Sequence, residues 1–208
     1  MRVAVITSAS ANISEYATLT TANKVEYCLR HGYSLVMDNQ PYYEAVHNAH
    51  WLCEYLDRFE IVWMLDSDAV ITDMRQPIHE LPCLGPHITV CEEGIVEWNR
   101  INCGSVVCKD TLETRTILQT IAIERRYWEP LACGWQTWLA AYADARPERV
   151  TVAPLRAFNS CVWNRPANGH DEIGGHWEPG DFVYHPCGVY PQAERTKWIR
   201  EALCQVIR

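Results

Sequence analysis

Residues 61–68 have the sequence Ile61-Val62-Trp63-Met64-Leu65-Asp66-Ser67-Asp68, five consecutive apolar residues and then two aspartates one residue apart. An uninterrupted apolar run of this length is typical of a strand that is covered on both faces. Such strands end at the carboxyl edge of a parallel sheet, where α/β folds bind their ligands. The stretch therefore predicts a central parallel strand that delivers two carboxylates to a site.

Two carboxylates this close repel each other, by roughly 4 kcal/mol at about 4 Å in an effective dielectric near 20. A divalent cation removes that repulsion, and oxygen ligands of this kind suit Mg²⁺ or Mn²⁺. The alternative is a solvated turn, because an aspartate pair of this spacing is common in proteins. The residues alone leave both interpretations of Asp66 and Asp68 open.

The segments before this stretch alternate between strand and helix. The predicted elements are strand Val3–Ile6, helix Glu15–His31, strand Tyr33–Met37, helix Tyr43–Arg58 and strand Ile61–Leu65. Ala22, Val25 and Leu29 line one face of the first helix, and Gly32 ends the helix. This order predicts a parallel, Rossmann-like half with right-handed crossovers. The glycine-rich turn of dinucleotide-binding oxidoreductases is absent, which disfavours that class.

The second half is less regular. Its predicted elements are strands His87–Cys91, Gly104–Lys109, Arg149–Ala153 and Asp181–His185, and helices Thr111–Tyr127, Gly134–Asp144 and Gln192–Ile207. Residues 159–180 are rich in Trp, Asn, Gly and His and predict a long irregular loop, a kind of segment that is often functional.

Composition indicates a globular protein. The 208 residues are 48% hydrophobic and 21% charged, with a net charge of −8 that argues against broad binding to nucleic acid or anionic membranes. No apolar run is long enough for a signal peptide or a membrane span, so we expect a cytoplasmic protein. The ten cysteines form no C-x-x-C pair and no zinc-finger pairing with histidine, so we expect mostly free thiols in the core.

Residues 63–74 resemble the signature of a glycosyltransferase family of the GT-A type, the galactosyl/xylosyl/mannosyltransferases of family GT34. Other matches occur in the same order as in the family. Before this segment lie Asn23-Lys24 with Tyr27 and His31-Gly32-Tyr33, and after it lie Asn102-Cys103-Gly104 and then Asp181, His185 and Gly188. The chain departs from the pattern at Trp135-Gln136, where the family has an acidic residue before the glutamine. It is also shorter than family members, and we expect a trimmed, cytosolic relative without their membrane anchor.

The resemblance implies a GT-A, Rossmann-like α/β fold with a mostly parallel central sheet, as a single domain over residues 1–208. Residues 1 to about 100 would form the nucleotide-binding half, and the remainder would bind sugar and acceptor. Asp68 and His185 would hold the metal with the donor diphosphate, and Asp66 would join them or contact the ribose. A histidine ligand favours Mn²⁺ over Mg²⁺.

The resemblance also implies a set of donor and sugar contacts. Thr7, Ser8, Ser67, Gly104 and Gly188 would line the donor, Lys24 and Lys197 would contact its diphosphate, and Asn102 and Gln136 would bind sugar hydroxyls and serve catalysis. For Lys24 and Lys197 the alternative is that they lie on a solvated helix face. For Asn102 and Gln136 the alternative is that the amides make structural hydrogen bonds in the core.

The implied activity is transfer of a sugar from a nucleotide-diphosphate donor, with UDP the favoured carrier, to a saccharide, protein or small-molecule acceptor. Retention of configuration is expected, and Glu97, Asp171 and Glu172 are candidate nucleophiles by residue type only. Attack on the same face as the departing diphosphate is therefore preferred. The rival functions are a metal-dependent nucleotidyltransferase and an inactive sugar- or nucleotide-binding module.

Overall fold

The computed structural model describes residues 1–8, 13–38, 52–93, 100–131, 133–164, 166–167, 170–171 and 174–208. Its strands are β1 Val3–Ser8, β2 Ser34–Asp38, β3 Ile61–Leu65, β4 Val70–Ile71, β5 Ile88–Glu92, β6 Ile101–Lys109, β7 Val150–Ala153, β8 Ser160–Trp163, β9 Pro166–Ala167, β10 His170–Asp171, β11 Gly174–Gly175 and β12 Val183–His185. Its helices are α1 Ser14–His31, α2 52–56, α3 Leu112–Ile123, α4 Arg125–Trp128, α5 Trp135–Ala145 and α6 Gln192–Leu203.

The main sheet has six strands in the order β2-β1-β3-β6-β5-β7. β1 lies parallel between β2 and β3, and β5 is parallel to β7, whereas β6 runs antiparallel to both β3 and β5. All five residues of β3 are buried. The predicted Rossmann-like half and the central position of β3 are confirmed, and the sheet is mixed because of β6.

A second sheet of four strands has the order β11-β8-β12-β4. β12 lies between β4, its antiparallel partner, and β8, its parallel partner. The irregular loop predicted over residues 159–180 is therefore wrong in part, since it contains β8 and three two-residue strands. Three of these strands have only two residues, and β8 pairs with the distant β12, so the local pattern gives little sign of them.

Helix α1 has the predicted length and buries its polar face. Val25 and Leu29 are 40% and 79% exposed, whereas Asn23 and Lys24 are 5% and 0% exposed. The face that carries Ala22, Val25 and Leu29 is exposed, because the polar face binds the chain segment that follows β3. Gly32 ends the helix with φ 68°, in the left-handed conformation that favours glycine.

Two other helix predictions differ in extent. Of the predicted helix Tyr43–Arg58, residues 43–51 lie outside the described residues, and 52–56 are helical. α6 ends at Leu203, four residues before the predicted end. Within the described ranges, no helix is long and apolar enough to cross a membrane.

Candidate metal and donor site

Three side chains that can bind a metal meet where the two sheets adjoin. Asp66 directly follows β3, Asp68 lies two residues later, and His185 is the last residue of β12. The chain returns from β3 into β4, which pairs with β12, and this brings the aspartates to the histidine. His185 Nε2 lies 3.3 Å from Asp68 Oδ1 and 3.6 Å from Asp66 Oδ2. We call these three residues the Asp-Asp-His cluster.

A chain of amides fixes the orientation of the His185 ring. His185 Nδ1 lies 2.9 Å from Asn159 Oδ1, and Asn159 Nδ2 donates to Asn102 Oδ1 over 2.8 Å. Because the Asn159 oxygen can only accept, Nδ1 carries the hydrogen. Metal-bound histidines are usually held in this way, with one nitrogen donating to an oxygen and the other turned to the metal. The donor set, two carboxylates and one oriented imidazole, therefore fits a divalent cation.

Gly104 makes room for that ring. A Cβ atom built on Gly104 would lie 2.7 Å from His185 Nδ1, nearer still to Cε1, and 2.9 Å from Asn102 Oδ1. The Gly104 amide also donates to Asn102 Oδ1 over 2.8 Å. The spacing of Asn102 and Gly104 thus has a steric reason, since the amide holds the loop while the missing side chain admits the imidazole.

The cluster is strongly coupled electrostatically. Burial alone would lower the pKa of His185, but the Asp68 carboxylate outweighs it and raises that pKa to about 9. Burial works against ionisation of Asp68, yet the nearby His185 charge and then Arg195 hold its pKa below the usual range. The Asp66 side chain is half exposed. Even so, partial loss of water around its carboxylate, and next the Asp68 charge, raise its pKa to about 6. In the metal-free protein the protonated His185 and the Arg195 guanidinium thus balance the two carboxylates, and a metal ion on Nε2 would take the place of the His185 proton.

Arg195 on α6 is a site residue that the sequence analysis missed. Its Nη1 lies 3.0 Å from Asp68 Oδ2, and its side chain is only 16% exposed. The guanidinium lies over the rings of Tyr16 and Tyr190, at 5.7 and 5.4 Å from their centroids. Lys197, the predicted cation of this helix, is 61% exposed and pairs with Glu194 at 3.2 Å.

Lys24 lies beneath the turn that carries the two aspartates. Its side chain is fully buried, and Nζ donates to Ala69 O over 2.9 Å and to Ser67 O over 3.4 Å. Burial lowers its pKa to about 7, against the opposing charges of Asp68 and Asp66. In this conformation the Lys24 amine bonds backbone carbonyls of the turn, and its predicted contact with a diphosphate stays a prediction. Lys24 thus holds the turn that carries Asp66 and Asp68.

Other polar residues of α1 also hydrogen-bond the backbone of the segment after β3. Asn23 bonds both the amide and the carbonyl of Ile71, at 2.8 and 2.9 Å. Thr20 donates to Ser67 O, His31 donates to Met74 O, and Tyr27 donates to Gln76 O. The Tyr27 hydroxyl also accepts from Ile78 N–H. We call Thr20, Asn23, Lys24, Tyr27 and His31 the α1 brace. It explains why this helix buries its polar face.

Comparison with known proteins shows which family and which fold the chain resembles. Residues 2–87 match the model of the galactosyl transferase GMA12/MNN10 family, a range that includes the α1 brace, Asp66 and Asp68. A glycosyltransferase involved in the glycosylation of the major capsid of PBCV-1 has a TM-score of 0.74 at 18% identity, over 97% of this chain and 100% of that one. The chain has a GT-A glycosyltransferase fold and resembles family GT34.

Two further structures share the GT-A fold. The galactosyltransferase LgtC, solved with donor and acceptor sugar analogues, has a TM-score of 0.58 at 13% identity over 95% of both chains. The bifunctional glycosyltransferase WbbM has a TM-score of 0.57 at 13% identity, over 100% of this chain and 52% of that one. Comparison with curated protein sequences gave no match.

Thr7 and Ser8 lie on the same edge of this GT-A sheet as the aspartates. β1 pairs in parallel with β3, Ile6 opposite Met64, so Ser8 lies at the level of Asp66. Thr7 is 2% exposed, and its Oγ1 has no hydrogen-bond partner among the described residues. The position is compatible with the predicted donor contact, which stays a prediction.

The two amides predicted to bind sugar have structural bonds. Asn102 is buried, and its Oδ1 accepts from Gly104 and Asn159. Gln136, in the first turn of α5, accepts from the Cys103 amide over 2.9 Å. Both amides thus hold the start of β6, and their predicted contacts to sugar stay predictions.

The residues of the late motif have separate places. Asp181 makes a two-pronged ion pair with Arg156, its shortest distance 2.6 Å, so it anchors the chain before β12. Gly188 has φ 73°, which a residue with a side chain rarely adopts. Among the candidate nucleophiles, Glu97 and Glu172 lie outside the described residues, and Asp171 belongs to β10 with its side chain outside the description.

Proposed function

We propose that the chain is a glycosyltransferase that moves a sugar from a nucleotide-diphosphate donor, with UDP the favoured carrier, and uses Mn²⁺ held by the Asp-Asp-His cluster. The observation that carries this proposal is the convergence of Asp66, Asp68 and an oriented His185 at the carboxyl edge of a GT-A sheet. The same edge is where α/β folds bind ligands.

The ligand set favours Mn²⁺ over Mg²⁺, because an imidazole nitrogen is a softer ligand than the oxygens that Mg²⁺ prefers. Bound there, the metal would neutralise the charge that develops on the leaving diphosphate. Asn159 keeps Nε2 of His185 turned toward the aspartates, and the α1 brace keeps the aspartate turn in place. The protein's part is thus to fix the ligands before the donor binds.

Arg195 supplies a fixed positive charge beside the same cluster. Its bond to Asp68 and its position over two tyrosine rings restrict the guanidinium, so little side-chain entropy is lost on binding an anion. We propose Arg195 as the diphosphate contact from α6, in place of Lys197. Thr7 and Ser8 would lie against the nucleoside, since they occupy the neighbouring strand end.

For the chemical step we propose retention by attack on the face from which the diphosphate leaves. The acceptor hydroxyl would give its proton to a diphosphate oxygen as the bond from the sugar carbon to that diphosphate breaks. Incubation with donor followed by mass spectrometry tests this step. A sugar found covalently attached to Glu97, Asp171 or Glu172 would replace it with a two-step mechanism.

Calorimetric titration of UDP and GDP with Mn²⁺ or with EDTA tests the function. We expect micromolar binding of one nucleotide, lost with EDTA and in Asp68→Ala, and retained in Asp57→Ala, where an exposed aspartate pairs with Arg115. Absence of nucleotide binding in every condition would refute the donor site. Pyrophosphate release from a nucleoside triphosphate would indicate a nucleotidyltransferase, and intact donor with every acceptor tested would indicate a binding module.

A further inference from the structure

Two cysteines lie beside His185, near the nitrogen that does not face the aspartates. Cys161 of β8 is opposite His185 of β12 in the parallel register, and Cys187 follows His185 by two residues. One ring nitrogen and the two sulfur atoms all lie within 4.8 Å of one another. Strand pairing creates this group from residues 24 positions apart in the sequence, which is why the spacing of cysteines gave no sign of it.

The distance between Cys161 and His185 matches that of two ligands in a thiolate-and-imidazole metal site. Cys161 Sγ lies 3.8 Å from His185 Nδ1. With zinc–sulfur and zinc–nitrogen bonds of about 2.3 and 2.05 Å, the edge between such ligands in a tetrahedron spans about 3.6 Å. Cys161 is fully buried and Cys187 partly exposed, so a cation can approach from the Cys187 side.

The thiolate is the form of cysteine that binds metals. In the metal-free protein the Cys161 thiol donates to Asn159 O over 3.4 Å. Metal binding at this sulfur would therefore displace that proton.

We propose that Cys161, Cys187 and His185 Nδ1 form a second metal site, selective for a thiophilic divalent cation such as Zn²⁺. Three protein ligands and one water in the fourth position are an established zinc arrangement. Sulfur ligands select zinc over manganese, whereas the carboxylates on the other side of the ring select the harder ion. Binding releases the thiol protons to solvent.

The two sites exclude each other because they share one imidazole. A neutral ring offers a single lone pair, so a metal on Nδ1 leaves the hydrogen on Nε2, which then faces Asp68. The bond from Nδ1 to Asn159 is lost at the same time. Zinc would thus withdraw His185 from the Asp-Asp-His cluster and inhibit Mn²⁺ binding. The existence of the sulfur site is independent of the proposed function, and only the inhibition rests on it.

Titration of the reduced, metal-free protein with Co²⁺ tests the site, because thiolate ligation gives cobalt an intense near-ultraviolet charge-transfer band and carboxylate ligation does not. We expect the band in the wild type and in Asp68→Ala, and competition by Zn²⁺. Removing a residue that only hydrogen-bonds a metal ligand typically weakens metal binding by about 10–100-fold. Cys187→Ala removes a ligand itself and should weaken Zn²⁺ binding by more than that.

Cys133→Ser and Cys204→Ser, at exposed thiols away from the group, serve as matched controls and should keep the band. A wild type without the band overturns the proposal, as does a band that persists in both Cys161→Ser and Cys187→Ala. A Cys161–Cys187 disulfide that forms without metal under the same reducing conditions also overturns it. A cobalt band in a protein that binds no nucleotide would leave the sulfur site standing and refute the glycosyltransferase instead.

Discussion

Replacing Gly104 by alanine should damage the Asp-Asp-His cluster without breaking the fold. The new Cβ would lie 2.7 Å from His185 Nδ1 and closer to Cε1. Normal contacts between such atoms begin near about 3.5 Å, so the ring must move by about 1 Å or more. The movement takes Nε2 away from its place 3.3 Å from Asp68 Oδ1.

The expected size of the effect follows from that displacement. Overpacking of a core site typically costs about 1–3 kcal/mol of stability. Disturbing the partners that orient a metal ligand typically costs about 10–100-fold in affinity. We therefore expect Gly104→Ala to fold, to melt at a lower temperature and to bind Mn²⁺ at least about 10-fold more weakly.

Calorimetric Mn²⁺ titration and thermal melts of Gly104→Ala and Gly85→Ala separate the two losses. A Cβ on Gly85 would overlap the side chain of Thr151 on the edge strand β7, away from the cluster. Gly85→Ala should therefore lose stability and keep its Mn²⁺ affinity. Equal Mn²⁺ affinity in Gly104→Ala and the wild type would refute the reasoning, since it would mean that the ring position does not govern the site.

The remaining predictions concern four neighbouring groups. Asn159→Ala removes the acceptor that orients His185, so Mn²⁺ affinity measured by calorimetry should fall by about 10–100-fold. Asn23→Ala leaves two buried backbone groups unpaired and should cost about 1–3 kcal/mol in denaturant unfolding; a smaller loss would show that water replaces the amide. Arg195→Met should weaken nucleotide binding, whereas Arg200→Met, exposed on the same helix, should not. In the metal-free protein, the pKa of His185 is raised to about 9 from an unfolded value near 6.5, so its stabilisation is full below pH about 6.5 and is lost as the pH rises through about 9; melts of wild type and His185→Gln across that range should converge at high pH.

The sequence was sufficient for the features that depend on local pattern. The apolar run before Asp66 predicted β3 with its exact bounds, because a strand buried on both faces needs apolar side chains at every position. The alternation of strand and helix predicted the parallel half, because a helix between two strands lets them pair in parallel. His185 was found through a motif resemblance, since no local pattern distinguishes a histidine at a strand end as a ligand.

The features that were missed depend on contacts distant in sequence. Arg195 and Lys197 are two residues apart on one helix, so they lie on different sides, and only the packing of α6 decides which one meets Asp68. Asn159 orients His185 across 26 residues of sequence. Helix α1 turns its hydrogen-bonding face inward and leaves Val25 40% exposed, because that face bonds the distant segment after β3.

The α1 brace has a consequence for exchanging parts between relatives. Residues 14–31 and 67–79 are separate in sequence but form one structural unit. Five side chains of the helix bond backbone groups of the other segment. A chimaera that takes only the aspartate turn from a relative would place it against helix side chains that do not match its backbone. A chimaera that takes both segments keeps these hydrogen bonds. Substitutions in the two segments are therefore expected to accumulate in pairs.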